Sequence, residues 1–357
     1  MKHIYSAHFI CFVLFTACWM NPLNAAFSLH EGHIDGAPYK LALPEGWKGG
    51  KVFFHVHGWR PPQAPHEADL NPEDPLYAAL LDEGWAIGRT AFLENGVDHP
   101  AHTQALENLK SWIIQKHGPI SMLILEGEST AGTLVLRIIE KNPDLADGVI
   151  ALGPFISFED PKSSDFLTAQ PRRPSILMSN TSEVLPAMEY AAKAIRADTP
   201  PALWPLLRPG HVNVNWVERL AAVRAMESAI SGGESLGFNN GTQPMPLRET
   251  GTKQESGSLI NIVESINPYY GNAFLAFHPD EFEAAGIKQG SFFRFSAHGK
   301  SWKVLYGESY GDVPEGDWVA FPHANERILI VRNHASAIGT AGLDVGDAVR
   351  VQALVEL

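Results

Sequence analysis

The chain has 357 residues, with 27 lysines and arginines against 40 aspartates and glutamates, for a net charge of −13. That acidity argues against a nucleic-acid backbone as partner. With 45% hydrophobic and 19% charged residues, the composition is that of a folded globular protein with room for two domains. No block of like charge reads as a tail.

The N-terminus differs from the rest. Met1-Lys2-His3 is weakly basic, and Ile10 to Trp19 is apolar but too short to span a bilayer. Ala25-Ala26 then follows Asn24, as small residues do at a signal-peptidase site. Residues 1–26 therefore read as a secretory leader, which implies a periplasmic or secreted bacterial protein with no membrane span. Both cysteines, Cys11 and Cys18, fall inside it, so the processed chain would hold no disulfide, thiol nucleophile or cysteine-ligated metal. Phe15-Thr16-Ala17-Cys18 loosely resembles a bacterial lipobox, so a lipid anchor at Cys18 is the alternative, with Phe in the first position speaking against it.

From Phe27 to about Ile230 the pattern alternates strands and helices. Tyr39 to Leu43 and Lys51 to His57 read as strands parted by the turn Pro44 to Gly50, and a helix from Leu76 to Glu83 precedes a strand from Trp85 to Thr90. A helix from Thr103 to Lys116 leads to the apolar run Ile120 to Leu125. The helix-like run Leu134 to Ile139, the strands Gly148 to Leu152 and Ser175 to Ser179, and an amphipathic helix from Trp216 to Ile230 follow. This order predicts a doubly wound, mostly parallel α/β sheet with helices on both faces. Residues 231–258, rich in Gly, Ser, Asn, Thr, Gln and Pro, read as a linker. Beyond it, short β-type runs recur at Leu259 to Ile266, Ala273 to Phe277, Phe292 to Ser296, Trp302 to Tyr306, Trp318 to Phe321, Ile328 to Val331 and Ala348 to Leu354. Turn residues separate them, so residues 259–357 should form a small β-barrel domain.

Gly127-Glu128-Ser129-Thr130-Ala131-Gly132 lies between a strand and a helix. A serine nucleophile on a tight elbow needs that setting, because small neighbours let the hydroxyl project above the sheet. The amides of the following helix then face the oxygen that becomes negative in acyl transfer. A serine also needs a base, and the base needs a carboxylate to hold its tautomer. Glu183 stands just past the strand ending at Ser179, and His211, in Pro209-Gly210-His211, precedes the last helix: acid then histidine, the order expected after the elbow. Glu159 and Asp160 are alternative acids. Phe53 to Val56 leads into His57-Gly58-Trp59, whose last amide can join that of Thr130 as an oxyanion donor. His55 and His57 share one face of a strand, and His99 and His102 lie further on. Such a group can bind zinc, but the plainer reading is packing around the oxyanion glycine, with no metal and no cofactor.

These residues resemble the α/β-hydrolase superfamily over about 200 residues, through Pro44-Glu45-Gly46-Trp47, the His-Gly strand, the elbow, Asn142-Pro143-Asp144 and Gly148 to Leu152. Gly127-Glu128-Ser129 resembles the carboxylesterase form of the elbow. The resemblance implies ester hydrolysis of a small-molecule substrate: Ser129 as nucleophile, His211 as base, Glu183 as orienting acid, and the amides of Trp59 and Thr130 at the oxyanion. Two departures are the glutamate where aspartate is commoner and Ala131 in place of the closing glycine.

The second domain resembles the C-terminal barrel of the S-adenosylmethionine hydroxide adenosyltransferases, the group holding the fluorinase and chlorinase enzymes. The matching segments are Tyr270-Gly271-Asn272, Glu281 to Gly290, Ser309 to Gly316, Val331-Arg332-Asn333 and Gly342 to Asp347. In that family the barrel closes over adenosine, which would make Asn272, and with it Asn333, ligand contacts. Departures are His323-Ala324 and Asn333-His334-Ala335, and the family's catalytic half is absent. The alternative function is a non-catalytic protein whose barrel binds a nucleoside-like ligand or joins copies into a homo-oligomer.

Overall fold

The structure is a computed structural model describing residues 26–163, 166–246 and 248–354. Residues 1–25 of the expected leader, with both cysteines, lie outside them. The first sheet is built from β1 (Phe27–Ile34), β2 (Ala37–Pro44), β3 (Gly50–Val56), β4 (Ala86–Thr90), β5 (Ile120–Glu128), β6 (Gly148–Leu152), β7 (Ser175–Asn180) and β8 (Ala202–Leu206). The helices are α1 (Pro75–Asp82), α2 (His99–His117), α3 (Thr130–Lys141), α4 (Val184–Lys193) and α5 (Trp216–Ile230). The strand order is β1-β2-β4-β3-β5-β6-β7-β8. Only the β1–β2 and β2–β4 pairings are antiparallel. This is the doubly wound, mostly parallel α/β sheet expected from the sequence.

The central strands are apolar throughout because both of their faces are covered. Val52, Phe54 and Val56 of β3 pack with Leu123 and Leu125 of β5 on one face, under Leu109 of α2 and Leu134 and Ile138 of α3. Their alternates Phe53, Ile124, Ile150 and Ile176 pack on the other, under Leu80 of α1 and Val223 of α5. The helix starts have chemical causes. Asp74 and Asp98 accept amide hydrogens of the first turns of α1 and α2, each with a proline there, and Asn215 and Glu218 form a reciprocal capping box at α5. Among the described residues no helix is long and apolar enough to cross a membrane.

Residues 237–243 run along β8 instead of standing free. The Asn239 amide donates to the Leu203 carbonyl at 3.2 Å, that of Gly241 to Pro205 at 3.0 Å, and Trp204 Nε1 to Gly237 at 3.0 Å. After them come β9 (Lys253–Glu255), β10 (Ser258–Asn267), β11 (Asn272–Leu275), α6 (Pro279–Ala284), β12 (Phe292–Ala297), β13 (Lys300–Tyr306), β14 (Trp318–His323), β15 (Arg327–Arg332), α7 (Ala337–Ala341) and β16 (Ala348–Ala353). The order β11-β15-β14-β13-β12-β16-β10 is closed by the β10–β11 pairing, giving a barrel of 7 strands with β9 added at β10. Phe277, Phe282, Phe293, Phe295 and Val351 fill it. Closure leaves no free edge in the ring.

Beneath the sheet's C-terminal edge, Glu126 of β5 is fully buried and meets His55 of β3, with Nδ1 to Oε2 at 3.0 Å, and Arg219 of α5, with Nε to both oxygens at 3.0 Å. Burial alone would push the Glu126 carboxyl up. The Arg219 guanidinium and the His55 hydrogen bond outweigh it and hold it at about 2. The folded value is depressed, so this stabilisation is in place above about pH 4.5 and is lost as pH falls through about 2. Arg219→Met strands the carboxylate and is expected to cost about 3 kcal/mol in urea unfolding at neutral pH. A cost under about 1 kcal/mol would mean the pair does not support the fold.

Candidate active site

The elbow forms where β5 stops and α3 begins. Ser129 takes φ 56° and ψ −123°, a conformation that L side chains rarely adopt. Its surroundings impose this. The Ser129 amide donates to the Leu152 carbonyl at 2.8 Å, and the Ser129 carbonyl accepts from Gly132 at 2.9 Å. Space is short at the glycines: a Cβ on Gly127 would sit 2.2 Å from the Ala131 oxygen, and one on Gly132 3.1 Å from Pro154 Cβ. Ala131 meets no such limit. It is 3% exposed and packs its methyl into the core, which explains why the departure from the common elbow pattern is tolerated.

His211 Nε2 lies 3.0 Å from Ser129 Oγ, and His211 Nδ1 hydrogen-bonds Glu183 Oε2. The second carboxylate oxygen, Oε1, accepts from the Val212 amide at 3.1 Å. With Nδ1 donating to the acid, Nε2 faces the serine hydroxyl as an acceptor. The two loops that carry Glu183 and His211 are tied together. Ser182 Oγ donates to the Gly210 carbonyl at 2.7 Å and accepts from its amide at 2.9 Å, and the Asn180 side chain bonds Asn213 in both directions, at 3.0 and 2.8 Å. Arg208 meets the fully buried Glu218 beneath them. Glu159 and Asp160 stay exposed; in their own loop the Glu159 amide donates to Ser157 and the Asp160 carboxylate accepts from Lys162.

Opposite the elbow, β3 delivers His57, Gly58 and Trp59. Gly58 touches the elbow so closely that a Cβ there would lie 3.0 Å from the Glu128 oxygen and 3.1 Å from Ser129 Cβ. His57 Nδ1 donates to the Gly58 carbonyl at 2.7 Å. Burial, with Arg60 nearby, holds the His57 pKa well below its ordinary range, so the ring is neutral and Nδ1 keeps its hydrogen. The Gly58 carbonyl belongs to the same planar peptide as the Trp59 amide. His57 therefore fixes the orientation of that amide. The next peptide is held from the barrel: the Tyr270 hydroxyl donates to the Trp59 carbonyl, and the Arg60 guanidinium lies 3.7 Å over the Tyr269 ring.

Ser129, Thr130, Trp59 and His211 open onto a cleft of about 900 Å³ whose opposite wall is the barrel, including Tyr270, Asn272, Tyr310, His323 and Asn333. Of the residues expected at the site, all but Glu183 thus line one cavity between the sheet and the barrel. Asn333 spends its side-chain amide on the Val313 carbonyl at 2.9 Å, while Asn272, 2% exposed, donates to the Tyr310 hydroxyl at 3.0 Å and leaves its Oδ1 without a partner. Reading the sequence did not single out Glu128 or Tyr310 as cleft residues. Tyr269, Tyr270 and Trp302 could stack a base but read as more often core at strand positions, and of these the two tyrosines line the cleft. The histidines do different things. His55 joins the Glu126 pair, and His102 stacks on Phe92 with centroids 3.9 Å apart. Among the described residues no three His, Cys, Asp or Glu converge as a metal site.

No family model and no curated protein matches the chain. Among solved structures it is similar to an uncharacterized conserved protein from Thermotoga maritima, at 19% identity over 31% of this chain and 41% of that one, with a TM-score of 0.27. It is also similar to the esterase Est22, at 16% identity over 59% and 80% of the two chains, TM-score 0.41. A third is an esterase from Pyrococcus furiosus, at 15% identity over 54% and 85%, TM-score 0.39. The chain spans less than half the length of the Thermotoga protein.

Gly153 has φ 51°, and a Cβ there would lie 2.6 Å from Glu183 Oε1. Gly153→Ala is therefore expected to push the acid off His211 and to remove the far-downfield proton NMR signal of a carboxylate-bound Nδ1–H. Retention of that signal would show that the loop absorbs the methyl.

Proposed function

We propose that this chain hydrolyses carboxylic esters through an acyl-Ser129 intermediate. The observation that carries the reading is the continuous Glu183–His211–Ser129 hydrogen-bond chain, ending on a strained serine that faces an open cleft. Ser129 Oγ attacks the ester carbonyl as its proton passes to His211 Nε2, and the Glu183 carboxylate stabilises the imidazolium. The oxygen that gains charge accepts hydrogen bonds from the Trp59 and Thr130 amides, which need no reorganisation when the charge appears. His211 then gives its proton to the departing alcohol. Water attacks the acyl carbon, with its proton taken by His211, and the acid leaves with Ser129 restored. No cofactor enters the scheme. The leader-like N-terminus adds export to the proposal, with the reaction run in the periplasm or outside the cell.

A second reading is supported by Asn272. Asn272 lines a tyrosine-walled cavity and its buried Oδ1 has no partner, which suits a barrel that holds a nucleoside-like ligand.

A fluorophosphonate is expected to label the wild-type chain on Ser129 and to leave Ser129→Ala unlabelled. Equal labelling of both would end the enzyme reading. Glu183→Gln is expected to lower kcat for an activated ester by about 10³–10⁴, as loss of the orienting acid does in other triads. His57→Phe removes the donor that orients the Trp59 amide. Steady-state kinetics should show a fall in kcat of roughly ten- to hundredfold, smaller than the loss of an oxyanion donor itself, with KM little changed.

A further inference from the structure

The cleft wall outside the triad has a consistent chemistry. Glu128 directly precedes the nucleophile, lines the cleft and keeps 32% of its side chain exposed. Among the described residues no lysine or arginine pairs with it. Its contact is His55 Nε2 at 3.7 Å, and burial keeps that ring neutral by lowering its pKa. The carboxylate acts on the barrel wall: burial first, and the Glu128 charge second, raise the pKa of the Tyr270 hydroxyl. Asn272, 2% exposed, lines the cleft with its side-chain carbonyl oxygen buried and unpaired, and Tyr270, Tyr310 and Phe274 complete the wall. A carboxylate, a carbonyl oxygen and aromatic faces all attract a cation.

The neighbouring cations do not supply it. Arg60 and Arg89 share Asp69, at 2.6 and 3.0 Å, and neither lines the cleft. Arg332 does line it, but turns its guanidinium onto the Gly316 carbonyl and Thr340 Oγ1. His323 is pushed down to about 4, chiefly by burial, and is neutral at physiological pH. The carboxylate beside the nucleophile therefore has no lysine or arginine at ion-pair distance among the described residues; the buried Arg89 charge that it feels is already paired with Asp69. A cleft of about 900 Å³ has room for a substrate that reaches both Ser129 and this wall.

We infer that the barrel-facing part of the cleft, formed by Glu128, Asn272, Tyr270 and Tyr310, binds a protonated amine, and that the substrates of Ser129 are esters carrying an ammonium group on the part lying under the barrel. The substrate half of this inference rests on the ester-hydrolase reading; the amine site does not. The ammonium hydrogens go to the Glu128 carboxylate and Asn272 Oδ1, and the tyrosine rings exclude water around them.

Two matched ester pairs test it: para-nitrophenyl aminohexanoate against its heptanoate isostere, with the amine on the acyl side, and 6-aminohexyl butyrate against its heptyl isostere, with the amine on the alcohol side. In one pair the cationic ester is expected to have a kcat/KM at least about tenfold higher, the scale of a charge-assisted hydrogen bond, and Glu128→Gln should remove most of that ratio. No preference in either pair, or a preference that survives Glu128→Gln, overturns the inference. Calorimetry on the full Ser129→Ala chain with pentylamine and pentanol separates the two readings. Pentylamine is expected to bind about tenfold more tightly. If it does and no ester is turned over, the amine site stands and the ester reading falls. Equal binding, or binding of adenosine where pentylamine gives no heat, overturns the amine site.

Discussion

Everything at the site depends on the close approach of two backbones, the elbow after β5 and the turn after β3. Ser129 holds a φ of 56° because its amide is taken by Leu152 and its carbonyl by Gly132, so relaxing the serine would break hydrogen bonds on both sides. Gly127 and Gly58 let the chain come that near, with a would-be Cβ 2.2 Å from the Ala131 oxygen in one case and 3.0 Å from the Glu128 oxygen in the other. The strain is held by a sheet buried on both faces. Such strain persists only where surrounding packing over-determines it, and here it aims a hydroxyl at a histidine whose other nitrogen is held by a carboxylate.

The barrel is part of the same arrangement. It touches the peptide after the Trp59 amide through Tyr270, the adjoining guanidinium of Arg60 through Tyr269, and the start of α5, where Asn325 Oδ1 accepts from the Trp216 amide at 3.0 Å. One side of the cleft thus carries Ser129 and His211 and the other carries aromatic rings and an unpaired amide oxygen. A sheet edge alone offers little to choose a ligand with, because specificity comes from the walls of the cleft. Here the walls come from a different domain.

Much of this was legible in the sequence, and the exceptions have physical causes. Strands β3, β5, β6 and β7 announced themselves because apolar residues fill both faces, and the elbow did because a serine between Gly127 and Gly132 sits at a strand-to-helix change. Glu183 and His211 could be placed by chain order. The start of α2 was set four residues too late, since the signal lay in the Asp98 cap and Pro100 and not in the apolar period. β1 escaped notice because its residues are exposed or only half-buried, with no apolar face to show. β8 carries Pro205, which argues against a strand, and α4 carries Pro186 and buries only Ala187 and Tyr190. Residues 237–243 read as linker because carbonyls of β8 and small side chains, not apolar contacts, hold them in place. The Tyr270–Trp59 bond joins residues 211 positions apart and leaves no local trace.

The decisive measurement is to catch the intermediate. Wild-type chain mixed with para-nitrophenyl acetate, quenched in acid within the first turnover and digested, should yield an acetylated peptide whose modification maps to Ser129. Release of nitrophenol with no acetyl adduct, or an adduct on another residue, would contradict a reaction run through the elbow.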